Sequence, residues 1–322
     1  MATNIAGTTS GDNIHLDVGL TTLYSQEVLH QAQPLLLFEQ FAERRTELGI
    51  MSGQTIKMLR FAALSGGTTA LSETTDMETD TLSTSELTIT VAEYGKAVQF
   101  SEMLVKTSMV NVLDQAAIAL GRNYALVRDT LIRNTLYQTP NTVYANGRAD
   151  RASLTAADVA TVATLAAANE LLATNKAPKF DGGSYVGILH PHQGTSLRAD
   201  SRWQSASHYG APDQLFNGES GKIENVRVIE TSQIIYLKKG TQDFYSDGAD
   251  SGKNTSLAAN NATNVYFGLA LGSFAVGIAE ALPVNFRDGG VIDMGRRHKF
   301  GWYAIFGVGL LESNHSVIIE TA

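Results

Sequence analysis

The chain has 322 residues, 43% hydrophobic and 17% charged, which is enough apolar content for a sizeable core and excludes wholesale disorder. It has no cysteine, so a disulfide framework, a thiolate zinc site, an iron–sulfur cluster and a cysteine nucleophile are excluded together. With 24 basic against 32 acidic residues and a formal net charge of -8, it lacks the balance of a dedicated nucleic-acid reader.

Residues 1–20, rich in Thr, Gly and Asn, carry no basic-plus-apolar signal and read as an extended arm with no face to bury. No apolar run approaches the ~20 residues of a bilayer-crossing helix, so the expectation is a soluble protein made in a cytoplasm. From Leu23 a helical pattern runs through Val28, Leu29, Leu36, Leu37, Phe38 and Phe41, broken or kinked at Pro34 and ending at Gly49. Residues 55–61 have β character, and Leu87, Ile89 and Val91 alternate with threonines at a period of two that Val98 and Phe100 continue.

Between these strands lies an unusual segment. Across residues 65–90, 13 of 26 residues are Ser or Thr, and residues 61–95 hold six carboxylates with no Lys or Arg. Such a stretch buries little against its own chain, so residues 64–85 are expected to become ordered only against a neighbouring molecule.

A long helix is predicted from Asn111 to about Tyr137, roughly 40 Å at 1.5 Å per residue. Its apolar stripe is Leu113, Ala117, Leu120, Tyr124, Val127 and Leu131. Arg122, Arg128 and Arg133 lie off that stripe, so losing Arg128 should leave the subunit itself nearly unchanged. A second helix is signed by Thr155 and Asp158 as a capping box and ends near Asn175. Residues 185–189 read as a buried strand entering His190-Pro191, with strands at 226–230 and 234–237 and an exposed Gly/Ser/Asn/Asp-rich excursion at 241–264. Further strands are predicted at 265–269, 274–279 and 291–294. A final pair, 302–311 and 317–320, turns at 312–315. Helices and strands mix without regular βαβ alternation, which makes the class α+β.

Little recognisable chemistry accompanies these elements. Gly248, Gly252 and Lys253 are too closely spaced for a phosphate loop, and Asn254 stands where a magnesium-binding Ser or Thr belongs. His190, His192, Asp200 and His208 form the one set with metal-ligand chemistry, and with it a metal-dependent hydrolase is the alternative function. The histidines are not at helix-face spacing and His190 precedes a proline, so structural turn and cap roles are favoured, and neither metal nor cofactor is expected. Arg296, Arg297, His298 and Lys299 follow Asp288 and Asp293, a pattern fitting a solvated loop or an ion-paired subunit contact.

The block from His190-Pro191 through Leu197, Asp200, Trp203, Tyr209, Leu215, Gly218-Glu219, Gly221 and residues 226–231 resembles the major capsid proteins of tailed bacteriophages. Within them it is most similar to the enquatrovirus-type coat-protein family of the Hong Kong 97 capsid fold. The resemblance implies an arm (1–50), an E-loop (51–100), a peripheral domain (101–150 and 276–322, with the long helix as its spine) and an axial domain (151–275). It further implies a non-enzymatic virion subunit forming hexamers and pentamers of an icosahedral head around double-stranded DNA, which is enclosed without sequence-specific binding. Separate scaffolding, portal and decoration proteins are the implied partners, with no membrane, and another virion component (decoration or tail) is the second alternative. About fifty residues precede the E-loop, too few for both an arm and a cleavable scaffold, which points to a separate scaffolding protein or none, and the lysine-free stretch 61–95 argues against an E-loop lysine cross-link. Subunit contacts are expected at Leu71, Glu73, Asp76, Met77, Glu78, Asp80 and Leu82, against basic residues drawn from Arg44, Arg45, Arg122, Arg128, Arg133, Arg296 and Arg297.

Overall fold

A computed structural model of the chain describes residues 37–45, 55–61, 79, 81–109, 112–180, 183–203, 219–239, 244–245, 263–294 and 296–322. A 3-10 turn (Phe38–Phe41) leads into strands β1 (Glu43–Arg45), β2 (Thr55–Phe61), β3 (Thr84–Thr90) and β4 (Ala92–Ser101). Helices α1 (Glu102–Thr107) and α2 (Val112–Leu136) precede β5 (Thr142–Tyr144), α3 (Val162–Thr174), β6 (Tyr185–Leu189) and α4 (Pro191–Arg198). The remainder is β7 (Glu219–Ile223), β8 (Val226–Glu230), β9 (Tyr236–Leu237), β10 (Phe244–Tyr245), β11 (Val265–Leu271), β12 (Val276–Ile292), β13 (Arg297–Leu310) and β14 (Ser316–Thr321). One sheet has the order β1-β12-β13-β4, and β2 and β3 form a separate antiparallel pair. An eight-stranded sheet runs β10-β9-β11-β6-β8-β7, with β14 joining β11 to β5. The α+β class expected from the sequence is the class observed.

The chain divides into two compact units. The larger, Leu35–Glu93 with Arg128–Pro283 and Ile305–Ala322, contains the eight-stranded sheet. Its core follows from the period of two. Tyr185 and Leu189 of β6, Val226 and Val228 of β8, and Val317 and Ile319 of β14 face one side, where Val162, Leu165, Ala168 and Leu172 of α3 cover them. Val186, Ile188, Ile229, Leu269 and Ile318 face the other side, against Ile132 and Leu136 of α2, Tyr137 just beyond it, and Leu37 and Phe38. Each such side chain, fully buried, contributes about 1.5–3 kcal/mol from water exclusion. Buried on both faces, β6 has no room for polar residues, which is why it reads as an unbroken apolar run.

The smaller unit takes its described residues from Tyr94–Val127 and Val284–Ala304. Trp302 anchors it: its indole N–H donates to Asn123 Oδ1 at 3.2 Å and its ring meets Tyr124 edge-on at 5.2 Å. Gly301 is required by closeness, since a Cβ there would stand 2.7 Å from the Lys96 carbonyl oxygen. The Ser101 hydroxyl accepts from Leu104 N and so caps α1.

Four expectations are corrected. The helix predicted up to Gly49 is, where described, a 3-10 turn followed by β1, because Glu43–Arg45 pairs in parallel with Gly277–Ala279 of β12. Helix α3 takes Thr161 as its N-cap and so begins later than a cap at Thr155 would place it. Asp158 does accept from Thr155 N, but its carboxylate also ties Asn146 and Arg148, and the pair closes a turn ahead of the helix. Strands expected separately at 274–279 and 291–294 overlap the two ends of the single strand β12 (Val276–Ile292), which passes through Pro283. Finally, β13 and β14 are not partners: β14 pairs with β11 and β5 instead.

Candidate assembly surface

The basic residues of α2 divide sharply by burial. Arg122 is exposed. Arg128 is only 4% exposed, its Nε 3.4 Å from Glu39 Oε1 and its Nη1 3.4 Å from Glu280 Oε1. Arg133 is 0% exposed and donates from Nη1 to the Gln233 carbonyl at 2.8 Å. The expectation that both arginines serve a neighbouring subunit is therefore corrected. Their guanidinium groups are spent on internal contacts, because this part of α2 is surrounded by its own chain. Asp129 completes the arrangement by accepting from Leu37 N at 3.3 Å and Glu39 N at 3.2 Å. Burial pushes its carboxyl up to about 6, against the opposing pull of those amides.

A second buried acid, Glu320, takes a two-pronged contact from Arg151, whose guanidinium also lies 4.8 Å over the Phe267 ring. Burial drives the Glu320 carboxyl up, while Arg151 draws it down. Asp158 behaves oppositely. The Asn146 amide above all, aided by Thr155 and Arg148, holds it well below the usual carboxylate range. These contacts hold elements of the larger unit together.

What is open to a neighbour lies elsewhere. Leu71, Glu73, Asp76, Met77, Glu78 and Asp80 fall outside the described residues, as do most of residues 64–85 and 241–264. Leu82 is described and is 60% exposed just ahead of β3. Strands β2 and β3 pair from Thr55↔Thr90 to Phe61↔Thr84, with Lys57 and Glu86 joined at 2.8 Å. Arg296 and Arg297 are exposed and share Asp293 at 3.8 and 3.4 Å. Sequence reasoning missed Met103, Met109 and Ile118, large apolar side chains exposed in the smaller unit. An apolar face left in water is the usual mark of a surface awaiting a partner.

The alternative metal set does not assemble as ligands. His190 caps α4: its Nδ1 accepts from His192 N at 3.1 Å, and its own N–H donates to Gln193 Oε1 at 3.1 Å. The His192 ring stacks on Tyr266 at 4.5 Å. Asp200 accepts from Val162 N at 3.0 Å and Arg202 N at 2.9 Å, bonds that lower its pKa. His208 lies outside the described residues. The roles seen for the other three are those of caps and packing rings.

Three capsid structures resemble this architecture closely in fold. The capsid of Ralstonia phage GP4 is 17% identical, with 87% of each chain covered and a TM-score of 0.68. The capsid of the cyanophage P-SCSP1u is also 17% identical, covering 97% of this chain and 95% of that one, at 0.64. The capsid of Helicobacter pylori bacteriophage KHP30 is 16% identical, covering 98% and 96%, at 0.64. No curated protein matches the chain. The fold is thus the α+β fold of Hong Kong 97-type phage capsids. The family described as phage capsid protein matches residues 84–313, well over half of the sequence, and the chain belongs to that family, as a major capsid protein.

Proposed function

We propose that the chain assembles with itself into hexamers and pentamers that close an icosahedral phage head around double-stranded DNA. The family match across residues 84–313 is the observation that carries this reading. The net charge of -8 accords with a wall that encloses its genome without gripping particular sequences. In this reading the subunit has no catalytic role, and separate scaffolding, portal and decoration proteins complete the head. Assembly takes place in the host cytoplasm and the product is the virion shell. Residues 1–50 act as arm, 51–100 as E-loop, 101–150 with 276–322 as peripheral domain and 151–275 as axial domain. The acidic segment 64–85 meets basic residues of a neighbour, with Arg122, Arg296 and Arg297 as the exposed candidates.

The test is expression of the full chain, alone and with its scaffolding partner, followed by sedimentation and negative-stain electron microscopy. Closed particles of uniform size are the expected outcome. A chain that remains monomeric in both preparations would overturn the proposal.

A further inference from the structure

The eight-stranded sheet ends, beyond β14, on a short and open edge. Strand β5 pairs in parallel with β14, Thr142 opposite Ile318 and Tyr144 opposite Glu320. The Ile318 N–H donates to the Asn141 carbonyl at 2.9 Å. In a parallel ladder that bond fixes the alternation: Asn141 and Val143 turn their main-chain groups toward β14, and Thr142 and Tyr144 turn theirs outward. Among the described residues no other strand pairs with β5.

Edges of this kind are commonly blunted by lysine, proline or a bulge. Here the sequence is Thr-Val-Tyr, three residues that favour strands and carry no charge. A groove of about 480 Å³ runs alongside, walled by β5, by the turn at Asn146, Gly147 and Arg148, and by the first half of α3. Ala163 and Ala167, one helical turn apart, line it and are exposed. Their small side chains leave depth for larger apolar ones.

The chain itself holds a segment of matching character. In Ile14, His15, Leu16, Asp17 and Val18, apolar and polar residues alternate strictly, bounded by Asn13 and Gly19. The described chain starts at Leu37, whose N–H is held by Asp129. The eighteen residues separating Val18 from that anchor can span at most roughly 60 Å, enough to leave the parent subunit.

We propose that the groove beside β5 receives residues 14–18 of a neighbouring copy as an added strand. Main-chain hydrogen bonds would form to Thr142 and Tyr144, with Ile14, Leu16 and Val18 over Ala163 and Ala167 and Asp17 within reach of Arg148. The choice of a neighbouring copy as donor rests on the shell reading above. Each subunit then gives one strand and accepts one, a heterologous contact suited to a closed assembly.

The absence of cysteine makes the test clean, because no native thiol competes, and the two single-cysteine variants run alone report any 16–16 or 163–163 disulfide. The full chain carrying Leu16→Cys and Ala163→Cys is oxidised under assembly conditions and run on a non-reducing gel, with Leu16→Cys plus Ser232→Cys as control. Ser232 is exposed and does not line the groove. Covalent dimers and longer ladders, several-fold above the control, are expected. Hydrogen exchange should also show the Thr142 and Tyr144 amides losing protection in a Leu16→Asp variant. A disulfide confined to single chains, ladders no stronger than the control, or unchanged exchange overturns the proposal. Electron microscopy of the same samples separates the two readings: closed particles without cross-links sink the added strand alone, whereas cross-linked chains that never close sink the shell.

Discussion

Replacing Arg128 tests whether the inner half of α2 is held by charge. The guanidinium is 4% exposed, between Glu39 and Glu280 at 3.4 Å each. At an effective dielectric of ~20, each such pair attracts by about 5 kcal/mol, most of which offsets the desolvation of the three ions. The net worth of the arrangement is therefore small, while the cost of breaking it is not. Arg128→Met keeps the volume of the stem but takes the cation from Glu280 and leaves Glu39 to Arg44. Loss of one partner from a buried ion pair costs about 3–5 kcal/mol, and that is the expected destabilisation. Adding Glu280→Gln to Arg128→Met removes one stranded charge and should recover about 1–3 kcal/mol. Urea unfolding followed by Trp203 fluorescence in a Trp302→Phe background reads the unit that contains Arg128. A midpoint shift worth under ~0.5 kcal/mol, the range of an ordinary surface substitution, would refute the reasoning. So would a double variant less stable than the single one.

Three further outcomes follow from the packing and the titrating groups. Gly307→Ala should destabilise the subunit by at least about 1–3 kcal/mol, because its Cβ would stand 2.4 Å from the Thr90 carbonyl oxygen; an unchanged melting temperature would show that the strands can part. Arg151→Ala should cost about 3–5 kcal/mol in a denaturant titration by stranding the buried Glu320, with Glu320→Gln restoring part of the loss. Asp129, pushed up to about 6 in the native state, favours folding most when protonated, so its contribution is complete below about pH 4 and is lost as the pH rises through 6. The stability difference between the parent chain and Asp129→Asn, measured from pH 4 to 7, should accordingly move against the parent, and a difference independent of pH would contradict the assignment.

How far the sequence discloses this molecule depends on the distance over which each feature is decided. Strand β6 was legible because burial on both faces leaves only apolar residues, and α2, a helix of 25 residues, because a stripe at helical spacing runs from Leu113 to Leu131. The start of α3 was not legible, since Thr155 and Asp158 have the spacing of a cap while Asp158 bonds to Asn146, twelve residues earlier. Arg128 and Arg133 misled for the same reason at longer range. On a helix an arginine normally marks the solvent side, yet Glu280 stands 152 residues from Arg128, and the carbonyl of Gln233 stands 100 from Arg133. No local pattern announces such partners. An assembly surface is harder still, because the atoms that satisfy it belong to another molecule. Within one chain it leaves only deficits: methionines at Met103 and Met109 facing water, and in β5 a strand whose outward amides have no neighbour in the sheet among the described residues. Those deficits are physical statements about binding, since exposed apolar area and open main-chain donors both lower their free energy on being covered. The surfaces of this subunit are therefore best sought where its own fold leaves such groups open, rather than where its sequence places charge.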